Sequence, residues 1–308
     1  MSDLFLAFSN SLVALALCIV IGFVCRRKRI FNDVHIQGIS ELLVKVAMPC
    51  SVFMALMRPF STALLLEGMA TIFITMVLFL LGGVLAITLA RVMKAETKER
   101  QYWQFGLTFG NVGFMGIPVV SAVFGYEGLF YVAMTLVTFN LLSFTIGIRM
   151  FSRGDEAKPR LLRLFSDNPA LTGTIIGFVF FLTGLRLPAA LEGGVMLIAA
   201  MTSPISMIII GAVLAKQRLK DAITDVRTLP PNAIKLVVIP LIAALALRWV
   251  VPNPLMLGVI VTMMAMPPAA ATVIFAEQFD GDAVGAARLV VVGTVLSVIT
   301  VPLISLLL

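Results

Sequence analysis

The residues best suited to chemistry in this chain sit in the middle of apolar stretches. One stretch carries Gly110-Asn111-Val112-Gly113-Phe114-Met115-Gly116-Ile117-Pro118. Glycines at i, i+3 and i+6 followed by a proline disfavour continuous helix, because glycine loses the most backbone entropy and proline lacks the N–H the helix needs. A later stretch carries Met266-Pro267-Pro268-Ala269-Ala270-Ala271, where two adjacent prolines remove two donors. An interrupted helix restarts as a half-helix whose first N–H groups are unpaired and whose dipole end is positive. Two such ends facing one cavity favour an anion, typically a carboxylate. Asn111 adds an amide donor, Pro268 suits the first turn of a restarting helix, and Gly113, Gly116, Pro118, Met266, Pro267 and Ala269 complete the candidate lining. The competing reading of the three glycines is close helix packing.

Polar groups inside apolar spans are costly and need partners, so each is a candidate. Lys45 lies one turn before Pro49 with Glu41 four residues earlier, and reads either as a neutralised ion pair or as positive potential for the anion. Ser51, Thr202 and Ser203 flank Pro49 and Pro204, where their hydroxyls line the cavity or bond their own backbone. Asn140 needs a partner in mid-membrane. Glu277 is the candidate for carrying a proton or a coupling cation, or else is solvated beside Asp280 and Asp282. Lys235 and Arg288 are expected to snorkel to the nearer interface. Three cysteines without a CxxC pair and a single histidine, His35, imply neither disulfide nor metal site, and no cofactor is expected.

The elements that must position these groups follow from composition. Hydrophobic residues make up 60% of the chain, charged residues 13%, and the mean hydropathy is +1.07. That apolar surplus exceeds what one water-soluble core can bury, so lipid must solvate part of the surface. At roughly 20 residues per crossing, the 308 residues hold about ten crossings. The expected spans are 4–25, 35–58, 65–92, 102–124, 127–149, 167–184, 191–215, 231–250, 255–278 and 283–307. The first is read as a retained helix, because the basic cluster Arg26-Arg27-Lys28-Arg29 follows it where a signal peptide has its charges in front.

Seventeen of the 23 lysines and arginines fall in the loops after spans 1, 3, 5 and 7, and only Arg58, Arg186 and Arg248 fall in loops on the other side. The asymmetry places the first set in the cytoplasm and both termini outside. It also accounts for the net charge of +7 without nucleic acid. The two halves superpose at an offset of 155 residues: Ile21-Gly22-Phe23-Val24 meets Ile176-Gly177-Phe178-Val179, and Pro49 meets Pro204. Five spans per half is an odd number, so the second copy enters from the opposite face, giving inverted repeats of residues 1–155 and 156–308.

The string GNVGFMGIP at 110–118 resembles the auxin efflux carrier family, which includes plant PIN-type carriers and compact bacterial malonate-type permeases. Asp167-Asn168-Pro169, Thr202-Ser203-Pro204 and Ala276-Glu277-Gln278-Phe279 agree with it, and the resemblance covers essentially the whole chain. It implies an all-α ten-helix fold in which spans 4 and 9 are broken and cross. It further implies spans 1, 2, 6 and 7 as scaffold and spans 3–5 and 8–10 as transport domain, in the compact type without a long loop between spans 5 and 6. The expected function is a secondary transporter of small organic anions in the bacterial inner membrane, working by alternating access with H+ or Na+ as candidate coupling ions; a homodimer is compatible with it. The alternatives are a sodium-coupled carrier resembling the bile acid:sodium symporters and a sensor built on a transporter fold. An enzyme is not expected, since no HExxH, nucleophile elbow or mid-span aspartate pair is present.

Overall fold

The computed structural model describes residues 2–151, 169–216 and 225–305. Asp167, Asn168 and the loop residues Arg153, Lys158, Arg160, Arg163, Arg218 and Lys220 lie outside these. The described elements are helices, in order α1 (Ser2–Arg27), α2 (Asp33–Leu56), α3 (Thr62–Val92), α4 (Thr97–Thr108), α5 (Val112–Phe151), α6 (Pro169–Thr183), α7 (Ala189–Ala215), α8 (Val226–Leu247), α9 (Pro254–Met264), α10 (Ala271–Gln278) and α11 (Ala283–Ser305). Among the described residues, α2, α3, α5, α7, α8 and α11 are long and apolar enough to cross a membrane, and α6 and α9 are shorter apolar helices.

Local chemistry sets their boundaries. Asn32 caps α2 by accepting from the His35 N–H at 2.8 Å. Glu96 and Glu99 form a capping box at the start of α4. Asn253 caps α9, with Pro254 in its first turn. Gly125, at φ 62°, divides α5 into two helical parts, in a backbone region that a side chain would strain. Three wide π-helical turns, Leu43–Ala47, Val112–Gly116 and Ile234–Val238, each end two residues before a proline: Pro49, Pro118 and Pro240. A proline ring clashes with the carbonyl four residues earlier in regular α-helix, and the wider turn ahead of it relieves that clash.

The chain forms two compact units. The first takes residues 2–72, 113–137 and 169–216. Its helices approach until backbones touch: a Cβ on Gly22 would lie 2.0 Å from the Ile208 carbonyl oxygen, and one on Gly211 1.9 Å from that of Ile19. On α6, a Cβ on Gly173 would lie 2.5 Å from the Pro49 carbonyl oxygen, and one on Gly177 2.9 Å from Leu56 Cβ and 3.1 Å from the Phe53 carbonyl oxygen. With no hydrophobic drive between helices in lipid, close contact of small residues is the main source of adhesion. The second unit takes residues 73–112, 138–151 and 225–305. The buried rings of Phe105, Phe109 and Phe275 pack there with half-buried Phe139, with centroids 4.7 Å apart for Phe105–Phe109, 5.1 Å for Phe105–Phe275 and 5.6 Å for Phe109–Phe139.

Candidate anion site at the paired helix breaks

In the second unit, helix stops at Thr108 and resumes at Val112, and it stops again at Met264 and resumes at Ala271. The two gaps pair as a one-step antiparallel β-bridge between Gly110 and Pro268. Asn111 N donates to the Pro267 carbonyl at 2.7 Å, and Ala269 N donates to the Phe109 carbonyl at 3.0 Å. The bridge satisfies backbone groups that the breaks would leave bare in a membrane. Gly110 and Pro268 face each other as the non-hydrogen-bonded pair, so the missing proline N–H is no loss. Pro268 therefore sits in the bridge, three residues ahead of α10, rather than in the first helical turn where the sequence places it. Pro118 is likewise inside regular helix beyond the π-helical turn, and the break itself falls at 109–111.

Asn111, Met266, Pro267, Pro268 and Ala269 are all buried here. Asn140 also lies buried in this unit. Glu277 is exposed near the end of α10, and Asp282 beyond it caps α11 by accepting from Gly285 N at 2.8 Å. In the first unit, Ser51 is buried, Gly116 and Pro118 are buried, and Gly113 and Ser203 are half-buried. Lys45 is exposed and donates to Glu41 at 2.8 Å, the ion-pair geometry expected for that spacing.

Lys235 is the residue the sequence reading misplaces. It lies nine residues into α8, roughly 13 Å along the axis, and is only 1% exposed instead of snorkelling to an interface. Its ammonium is beside the bridge: a Cβ on Gly110 would come 3.3 Å from Lys235 Nζ and 3.1 Å from the Met266 carbonyl oxygen. No carboxylate among the described residues forms an ion pair with it. One turn earlier, Asn232 is fully buried. Its Nδ2 donates to the carbonyls of Thr228 at 2.9 Å and Leu289 at 3.2 Å, while its Oδ1 has no partner among the described residues. Arg288, by contrast, is exposed and reaches Asp225 at 3.4 Å. A polar depression of about 710 Å³ bounded by Glu96, Glu99, Tyr102, Arg227 and Asp282 opens at the start of α4, away from these groups. There Arg227 holds Glu99 through two hydrogen bonds of 2.8 and 2.7 Å.

Paired breaks in membrane-spanning helices occur in transporters, and similarity to known proteins points the same way. A family model described as "Membrane transport protein" matches residues 7–161 and 158–305. The chain belongs to this family, that of the auxin efflux carriers. An "Uncharacterized transporter" of Methanothermobacter thermautotrophicus is 23% identical over 97% of this chain and 98% of its own length. The "Uncharacterized transporter YfdV" of Escherichia coli is 22% identical over 89% of this chain and 88% of its own. A Rhizobium meliloti protein named "Putative malonate transporter" is 24% identical over 74% of this chain and 72% of its own. Family membership and apolar helices make the chain an integral membrane transport protein and not an enzyme.

Proposed function

We propose that the protein is a secondary transporter of small organic anions, mono- or dicarboxylates of malonate size, and that the substrate carboxylate docks at the paired breaks. The observation that carries this reading is Lys235, buried without an anionic partner among the described residues beside the Gly110–Pro268 bridge. A cation taken out of water costs several kcal/mol unless an opposite charge joins it. A carboxylate supplies that charge, and burial of the lysine away from water strengthens the attraction. The amide of Asn111 and the positive ends of the helices restarting at Val112 and Ala271 add directed donors. Met266, Pro267 and Ala269 shape the site through their backbone.

The proposed architecture is two inverted five-helix repeats, residues 1–155 and 156–308, with spans 1, 2, 6 and 7 as scaffold and spans 3–5 and 8–10 carrying the site. Reciprocal contacts in the first unit support it. Gly22 approaches Ile208, and adding 155 to the first number and subtracting it from the second gives the approach of Gly177 to Phe53. Pro49 follows a wide turn and its mate Pro204 follows a helix interruption at Met201. Alternating access between two such halves, in a bacterial inner membrane with both termini outside, is the proposed cycle. Ser51, Ser203, Gly113, Gly116, Pro118, Asn140 and Lys45 are proposed to serve it as lining or support, and Glu277 as the coupling group for H+ or Na+.

Uptake of labelled malonate by proteoliposomes tests the reading. Saturable flux, competed by other short carboxylates and reduced at least about tenfold by Lys235→Met, is expected. An unsaturable conductance, or unchanged flux in that variant, would sink it. Imposed sodium and proton gradients in the same vesicles, with Glu277→Gln, identify the coupling ion.

A further inference from the structure

The buried amide of Asn232 has a use that anion binding alone does not explain. Both of its N–H groups are committed, to the Thr228 and Leu289 carbonyls, so the amide cannot be turned over and the free acceptor is fixed in place. That acceptor, Oδ1, is enclosed and has no donor among the described residues. Such an orphan is rare in a native interior, because an enclosed acceptor without a donor loses its water and receives nothing in return.

Its surroundings are those of the anion site. Asn232 and Lys235 stand three residues apart on α8, spacing that puts both on one helical face. A Cβ on Gly293 of α11 would lie 2.4 Å from Asn232 Oδ1 and 2.5 Å from Pro268 Cδ. Gly293 thus keeps a side chain off the oxygen as Gly110 keeps one off the Lys235 ammonium. One buried ammonium and one buried acceptor thus stand against glycine backbone, both bordering the bridged breaks.

We infer that Asn232 determines specificity: its Oδ1 accepts a hydrogen bond from an O–H group of the substrate, so the site favours an organic monoanion that also carries a hydroxyl or un-ionised carboxyl. The inference rests on the anion-carrier reading and adds the second half of the substrate. A carboxylate alone would neutralise Lys235 and leave Oδ1 orphaned. A hydroxy acid or a half-protonated dicarboxylate satisfies both. A site built around a hydrogen bond rejects the analogue lacking the donor strongly, because the buried acceptor is then left bare.

Binding to the purified full-length protein is measured calorimetrically for two matched pairs: lactate against propionate, and hydrogen malonate against monomethyl malonate. The member with the O–H is expected to bind at least about tenfold tighter in one pair or both. Asn232→Leu should bring that ratio close to one, with the loss falling mainly on the member that carries the O–H. Because Asn232→Leu also cuts the tethers to Thr228 and Leu289, its thermal unfolding is measured on the same sample, and the matched-pair ratio in the natural protein tests the inference without any substitution. Saturable binding with a ratio near one in the natural protein overturns the inference alone, and is the result expected if the Lys235 ammonium itself turns to Oδ1. A ratio that survives Asn232→Leu overturns it as well. Absence of any carboxylate binding overturns both the inference and the anion-carrier reading beneath it.

Discussion

On the proposed reading Lys235 and Gly110 work as a pair: the lysine supplies charge, and the glycine lets the backbone that bridges to Pro268 pass close to its ammonium. Gly110→Ala would place a methyl 3.3 Å from the ammonium and 3.1 Å from the Met266 carbonyl oxygen, tight enough to need a small shift. The expected outcome is a modest stability loss of about 1 kcal/mol with a disproportionate loss of malonate affinity, read by thermal unfolding and by binding on the same sample. Equal affinity in the variant would show that the ammonium does not receive the substrate. Asn111→Ala keeps the backbone N–H that bonds Pro267 and should weaken binding about five- to tenfold, the worth of one side-chain hydrogen bond, with thermal unfolding read on the same sample. Unchanged affinity and flux remove the Asn111 side chain from the site.

At the scale of elements, the membrane setting shifts the burden of cohesion onto small residues. Gly22 and Gly177 each let a neighbouring helix approach to contact distance, whereas Gly193 has open space around the position of a Cβ. Leucine at 22 or 177 is expected to cost at least ~1–3 kcal/mol by overpacking. Gly193→Leu should leave the thermal midpoint in detergent unchanged or slightly raised. If all three variants melt alike, backbone contact is not what holds these helices. The wide turns ahead of Pro49, Pro118 and Pro240 are a second device at this scale, letting proline stand inside long helices where regular geometry would exclude it. No proline follows the fourth such turn, Ser143–Gly147, within two residues.

For the whole molecule the strongest expectation is orientation. Basic residues gather in alternate loops, and the rule that such loops stay cytoplasmic places Lys94 inside and Trp249 outside. Both side chains are exposed. With Cys18, Cys25 and Cys50 replaced, Lys94→Cys should resist a membrane-impermeant thiol reagent applied to intact cells, and Trp249→Cys should react. The reverse pattern would invert the assignment and put both termini in the cytoplasm.

Much of the architecture is legible in the sequence, for physical reasons that act locally. Length of apolar runs decides what can cross a bilayer, and glycine and proline decide where helix cannot continue, so the breaks near 110 and 267 are visible without a fold. Family membership is legible in the glycine-rich string that makes one of those breaks. Two features are not. That the breaks satisfy one another through the Gly110–Pro268 bridge depends on residues more than 150 positions apart meeting in space. The burial of Lys235 and Asn232 depends on which helices surround α8. Hydropathy along the sequence carries no record of neighbours: Lys235, near the start of the expected span 231–250, reads as a lysine that reaches for water, and Asn232 gives no signal. Tertiary packing reverses the first and reveals the second, because it removes the water that either side chain would have reached; on the proposed reading a substrate takes that place.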